Sequence, residues 1–148
     1  MFSVRVYENL VDTFHRAWSK STTQDTEDQL KTCCSPDVAY SNPWWQSAGR
    51  RELATSISQL VTRFPQHDLH RLSDLDIHHG QALLTWVIRD STGTPALFGT
   101  EIVEFSADLL ICRAVAFFGQ LRPRTKTYSF VPPAAAAGDE GRNTSHTA

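Results

Sequence analysis

Four residues able to move a proton or to bind a reacting oxygen stand in otherwise apolar surroundings: His15, Tyr40, Asn42 and Glu101. Glu101 belongs to the run Gly99–Phe105, where strand alternation puts Glu101, Val103 and Phe105 on one face. The same rule groups Leu84, Trp86 and Ile88 in the preceding apolar run. If both faces enter one interior, Glu101 is a carboxyl in an apolar pocket, where loss of water disfavours the charged form and suits it to donating a proton. The other placement is at the rim, solvated or paired with an arginine.

Tyr40 and Asn42 lie two apart in a short apolar run, hence on one face, where a phenol and an amide can both bind a substrate oxygen. Asn42 precedes Pro43, so the alternative is that it starts a turn. Trp44 and Trp45 follow, and two adjacent indoles in a loop are costly to expose; they cover a cavity mouth, a subunit interface or the core. His15 stands beside Phe14 and three residues before Trp18 at the edge of a helical apolar face, as an acid or base or as a structural residue. Phe14, Trp18, Phe64 and Phe117 complete the candidate substrate-binding set of Trp44, Trp45, Leu84, Trp86, Ile88 and Val103. His67, His70, His78 and His79 offer no metal-ligand spacing, so no metal and no cofactor is expected.

These side chains must be positioned by helices first and strands afterwards. Tyr7, Leu10, Val11, Phe14 and Trp18 recur at spacings of three and four, predicting a helix from about Ser3 to Ser19. Thr26 with Gln29 fits a capping box for a short second helix through Leu30 and Cys33, stopped at Ser35-Pro36. Val38–Tyr40 reads as a short strand, and Leu53, Ile57, Leu60, Val61 and Phe64 as the face of a third helix closed by Pro65. From about Asp68, apolar runs separated by His78-His79-Gly80, Ser91–Pro95 and Ser106–Asp108 predict an antiparallel meander. The result is an α+β cone: a curved antiparallel, partly mixed sheet with three N-terminal helices on one side, enclosing a hydrophobic cavity.

The chain has 148 residues, 41% hydrophobic and 20% charged, which fits one domain over residues 1–121 with residues 122–148 as a flexible tail. A formal charge of -2 and the lack of a Lys/Arg run argue against a nucleic-acid partner. No stretch reaches the roughly 20 apolar residues of a membrane span. Three cysteines without zinc or Cys-x-x-Cys spacing read as buried free thiols, and the expected location is cytoplasmic.

Taken together, Asp37-Val38-Ala39-Tyr40-x-Asn42-Pro43, Ala48–Leu53, His78-His79-Gly80, Trp86, Gly99–Phe105 and Phe117-Phe118-Gly119 resemble the SnoaL-like branch of the nuclear transport factor 2-like superfamily, from about Val6 to Gly119. The superfamily hosts isomerases, dehydratases, epoxide hydrolases, polyketide cyclases and non-catalytic domains. Its ketosteroid isomerases use an Asp before Pro as base, with an oxyanion hole of a first-helix Tyr and a late-strand protonated Asp. The resemblance puts Asn42, Phe14 and Glu101 at those places, which removes the base and half of the hole. Limonene-epoxide hydrolases share a Tyr-x-Asn like Tyr40 and Asn42, but the places of their Arg and two Asp residues fall near Trp86, Ile88 and Ala116. Polyketide cyclases carry an acid where Glu101 stands, usually Asp. The resemblance thus implies a cofactor-independent cyclase or isomerase of natural-product biosynthesis acting on a hydrophobic, polyketide-like molecule, with a shape-directed pericyclic closure in its range. The alternative is a non-catalytic ligand-binding or dimerisation domain. The resemblance also implies a homodimer packed through the outer sheet face, at Leu83, Val87 and Ile102.

Overall fold

The first apolar face winds into helix α1 (Val4–Arg16), which tightens into a 3₁₀ turn at Ala17–Ser19. A computed structural model describes residues 3–121 and 123; of the expected 122–148 tail, all but Pro123 lies outside the described residues. Helix α2 (Thr23–Lys31) starts earlier than the capping-box spacing predicts. Thr22 is the cap: its backbone is extended and its side chain accepts the Asp25 N–H. Thr26 lies a turn inside, its hydroxyl returned to the Thr22 carbonyl. Helix α3 (Arg50–Arg63) follows Gly49, whose φ of 89° is open to glycine, and it ends at Phe64 before Pro65 as the sequence predicts.

Strand β1 (Cys34–Ser41) is longer than the predicted Val38–Tyr40. It runs past Pro36 because its pairing with β7 shifts register between Cys34 and Ala39, an irregularity where a missing N–H is tolerated. Strand β2 (Gln46–Ala48), with no apolar alternation to announce it, folds back antiparallel on β1 around Asn42–Trp45. The meander is as expected: β3 (Asp68–Arg71), β4 (Asp76–His78), β5 (Gln81–Arg89), β6 (Pro95–Phe105) and β7 (Ile111–Phe118). His79 and Gly80, with φ of 50° and 74°, make the two-residue β4–β5 turn.

The strand order is β2-β1-β7-β6-β5-β3, with β4 also on β5; β1–β7 is parallel and the other pairs are antiparallel. This is a mixed, curved, open seven-stranded sheet with three helices, an α+β cone. Val11, Phe14, Leu30, Leu53, Ile57, Leu84 and Val103 form the core between helices and sheet. On the outer face Leu83 and Ile102 are exposed as predicted, but Val87 is buried, flanked by its register partners His70 and Phe98. No described helix is long and apolar enough to cross a membrane.

One close approach fixes the inner face. Trp86 pairs with Gly99 across β5–β6, and a Cβ at Gly99 would come within 2.0 Å of the indole. The ring therefore lies where only glycine leaves room. Gly99→Ala should push Trp86 off its rotamer and cost about 1–3 kcal/mol, read as a lower denaturant midpoint with an unchanged m-value.

Candidate active site

Strand alternation in β6 turns Glu101 inward, with Leu84 of β5 and Ala116 of β7 as its register neighbours. It is 2% exposed. Helix α1 crosses this face so that His15, also buried, puts Nε2 at 2.9 Å from Glu101 Oε1. A carboxylate only accepts, so with Glu101 ionised Nε2 carries the hydrogen. His15 Nδ1 is buried and has no protein partner among the described residues. The two candidate acid–base residues, 86 positions apart, are thus one hydrogen-bonded pair.

Tyr40, on β1, is buried next to this pair. The Oδ1 of Asn42 accepts the backbone N–H groups of Trp44 (2.9 Å) and Trp45 (3.0 Å), which fixes the amide so that Nδ2 donates to the Tyr40 hydroxyl at 3.2 Å. Both readings of Asn42 therefore hold: it starts the turn and it braces the phenol. The phenol accepts that bond and keeps its own hydrogen for a ligand. Burial, and then the nearby Glu101 charge, push the Tyr40 hydroxyl well above its ordinary value of 10, against the opposing Asn42 bond. Tyr40 is held as a donor.

Around this group the interior is packed with rings. Trp18, Trp86, Ile88, Leu60, Leu69 and Phe118 join Tyr40 and Glu101 around a free space of about 10 Å³. A second space of about 20 Å³ opens beside it, against Phe64, Val61 and His67. A water needs roughly 10–15 Å³, so the expected cavity is reduced to spaces of about the size of a single water. Phe14, Leu84 and Val103, predicted as substrate-binding, are fully buried core residues behind the wall. Phe117 faces outward at 56% exposure, because the inward positions of β7 are Ala114, Ala116 and Phe118. Phe118 is the ring the sequence reading missed by one step of alternation.

Trp45 packs on Trp18 and Tyr40, with ring centroids 6.4 and 6.0 Å apart. Trp44, half exposed, lies parallel to Phe64, edge-on to Phe118 at 4.7 Å and under the Arg63 guanidinium. The adjacent indoles thus divide: one in the wall, one at the mouth. Leu60 and Leu69 were also absent from the candidate set, although Leu60 shares the helical face of Leu53 and Ile57. No group of three or more metal-ligating side chains occurs among the described residues.

Solved structures carry the same architecture. A "putative isomerase of the SnoaL-like family" from Agrobacterium tumefaciens superposes with a TM-score of 0.73 at 18% identity, over 78% of this chain and 99% of that one. A "putative polyketide cyclase" from Sinorhizobium meliloti gives 0.58 at 15% identity, over 78% and 99%. A SnoaL-like protein of unknown function from Burkholderia thailandensis gives 0.61 at 11% identity, over 81% and 100%. The chain has the fold of these SnoaL-like structures. No protein-family model matches the sequence, and no curated protein matches it.

The first-helix position that the resemblance implies for a donor is Phe14, which is sealed in the core, while Tyr40 on β1 carries a hydroxyl hydrogen on the same space as Glu101. The raised native value of Tyr40 has a consequence for stability. The native state holds the phenolic proton at pH values where the unfolded chain has released it, so this contribution is intact below about pH 10 and is lost as pH rises from there toward the native value. Urea titrations between about pH 8 and 11 should show wild-type stability falling by up to about 1.4 kcal/mol per pH unit more steeply than that of Tyr40→Phe. Equal slopes would mean that the phenol ionises as freely folded as unfolded.

Proposed function

We propose that this protein is a cytoplasmic, cofactor-independent cyclase or isomerase that acts on a hydrophobic, polyketide-like small molecule. The observation that carries the reading is the buried His15–Glu101 pair beside a braced, protonated Tyr40 in an otherwise apolar interior. A pair of apolar side chains would fill the same layer at least as stably, so an ionisable pair there is a cost to folding that proton transfer accounts for. Glu101 takes a proton from carbon or returns one. Tyr40 donates its hydrogen to the carbonyl or enolate oxygen formed beside it. Trp18, Trp86, Ile88 and Phe118 hold the substrate in its reacting shape, and a cyclisation directed mainly by shape uses the same wall.

Entry requires the interior to open, since the space present is far below the roughly 300 Å³ of a small-molecule pocket. The mouth offers the means: Trp44, Phe64 and Phe118 pack on one another near the turn that contains Gln66, whose φ is 58°. A substrate displacing these rings gains a site from which water is excluded. The filled interior also supports a second reading, a non-catalytic domain in which the pair is structural.

A panel of oxygenated polyketide-like compounds, assayed for turnover and binding together, separates the two. Glu101→Gln should lower kcat about 100-fold or more while changing Kd by a few-fold, and Tyr40→Phe should act in the same direction more weakly. Binding without turnover in the parent protein would support the non-catalytic reading.

We further propose that the outer sheet face pairs two copies. Leu83, Ile102 and Val115 form a cross-strand row there, with Phe117 exposed beside them. Light scattering at micromolar concentration should give twice the chain mass, and Ile102→Glu should halve it. A monomeric parent would remove the dimer.

A further inference from the structure

The carboxyl of Glu101 is nearly sealed on its cavity side, where the free space is about 10 Å³ and the wall is mostly rings. That leaves no room for a chain of waters to the mouth. An acid–base group that cannot exchange protons is locked in one state, so its other contacts decide whether it is usable. Its side-chain hydrogen bond leads away from the cavity, to His15.

His15 also forms part of the wall of a different space, an open groove of about 500 Å³ on the outside of the cone between α1 and β3. Asp12 and Arg16 of α1 and Asp68, His70 and Arg71 of β3 line it with His15. Arg71 is held by Asp12 at 3.0 Å and by Glu8, so the charges of the groove largely satisfy one another. The second nitrogen of His15 is buried and has no partner among the described residues. A histidine placed only to orient a carboxylate normally has its far nitrogen fixed by a carbonyl or carboxylate. Here that end lies buried without such a partner, on a ring that borders the groove.

We infer that His15 is a proton relay, connecting Glu101 to the groove between α1 and β3 so that the carboxyl equilibrates with solvent while the aromatic mouth stays shut. When a small movement of the groove wall admits a water to the buried Nδ1, that nitrogen takes a proton as Nε2 passes its own to Glu101 Oε1, and the imidazole is neutral before and after. In the reverse step Glu101 returns a proton to Nε2 and Nδ1 releases one to water, which restores the first tautomer. The relay serves the acid–base role proposed for Glu101 and rests on that reading for its purpose, but its test needs no substrate.

The ionisable groups facing His15 are Glu101 of β6, Asp12 and Arg16 of its own helix, and Asp68, His70 and Arg71 of β3, with Tyr40 beyond Glu101. Trp18 and Trp86 lie on the same small space as Glu101 and report its protonation by their emission. A stopped-flow pH jump of the full chain, with Glu101→Gln subtracted, isolates the Glu101 response from those other groups. In the parent protein this response should be complete within the mixing time. In His15→Gln, which keeps an amide donor for Glu101 but cannot relay, it should slow about 100-fold or more, to the rate at which the packed interior opens. In His15→Ala, added imidazole should restore the fast phase.

A fast response in His15→Gln would overturn the relay, since Glu101 would then have another route to solvent. So would the absence of any Glu101-dependent signal in the parent. A variant that fails to fold is recognised by its circular dichroism, and the imidazole series on the folded variant then decides. Turnover lost with the relay intact would count against the proposed enzyme and leave the relay standing.

Discussion

A hydrogen bond between an imidazole and a carboxylate, buried between the first helix and the sixth strand, is the constraint to which the rest of the structure answers. Neither group can be left alone in an apolar layer: an unpaired buried charge costs several kcal/mol, and a lone polar nitrogen costs on the order of 1–3. The 2.9 Å contact between His15 and Glu101 therefore fixes how α1 lies across the sheet. It also fixes the phase of β6, because a slip of one residue would turn Glu101 to the outer face. From that phase follow Trp86 over Gly99, the inward positions Ala114, Ala116 and Phe118 of β7, and the outer row Leu83, Ile102 and Val115.

The second support is Asn42. Its carbonyl ties the turn carrying Trp44 and Trp45, and its amide braces Tyr40. One side chain thereby couples the aromatic mouth to the donor inside, so a movement of the Trp44 turn is felt at the phenol. Packing links the same elements through Trp18, Tyr40 and Trp45, three rings whose centroids lie within 6.4 Å of one another.

Much of this was legible in the sequence wherever a period was long enough to be read. The helical spacing of Tyr7 to Trp18 and the alternation of Leu84, Trp86 and Ile88 correspond to α1 and the inner face of β5. The same alternation grouped Glu101 with Val103 and left its face open between the interior and the rim; the structure turns it inward. Short elements were not legible: β2 has three residues and no pattern, and β1 passes through Pro36 by a register shift that only its partner reveals. The cap of α2 went to Thr22 rather than Thr26 because the choice depends on backbone geometry, and two threonines four apart offer the same chemistry. Phe117 and Phe118 could not be separated by composition, since adjacent identical residues take opposite faces and only the register with Thr100 and Gly99 decides which enters. The meeting of His15 with Glu101 is a long-range contact that neither local pattern contains: the helical spacing put His15 at the edge of the apolar face, and the strand alternation only grouped Glu101 with Val103 and Phe105. The small size of the interior was out of reach for a related reason: the same rings that predict a cavity wall also fill the cavity.

The central claim is that His15 and Glu101 form one unit held at a cost to stability, and a double-mutant cycle on unfolding free energy addresses it most directly. His15→Leu alone should destabilise by about 3–5 kcal/mol by leaving a buried charge unpaired, and Glu101→Met alone by about 1–3 kcal/mol. The double variant should return to within about 1 kcal/mol of the parent or exceed it, because an apolar pair fills the layer without polar groups to satisfy. Losses that simply add in the double variant would show two side chains acting independently and would contradict the account.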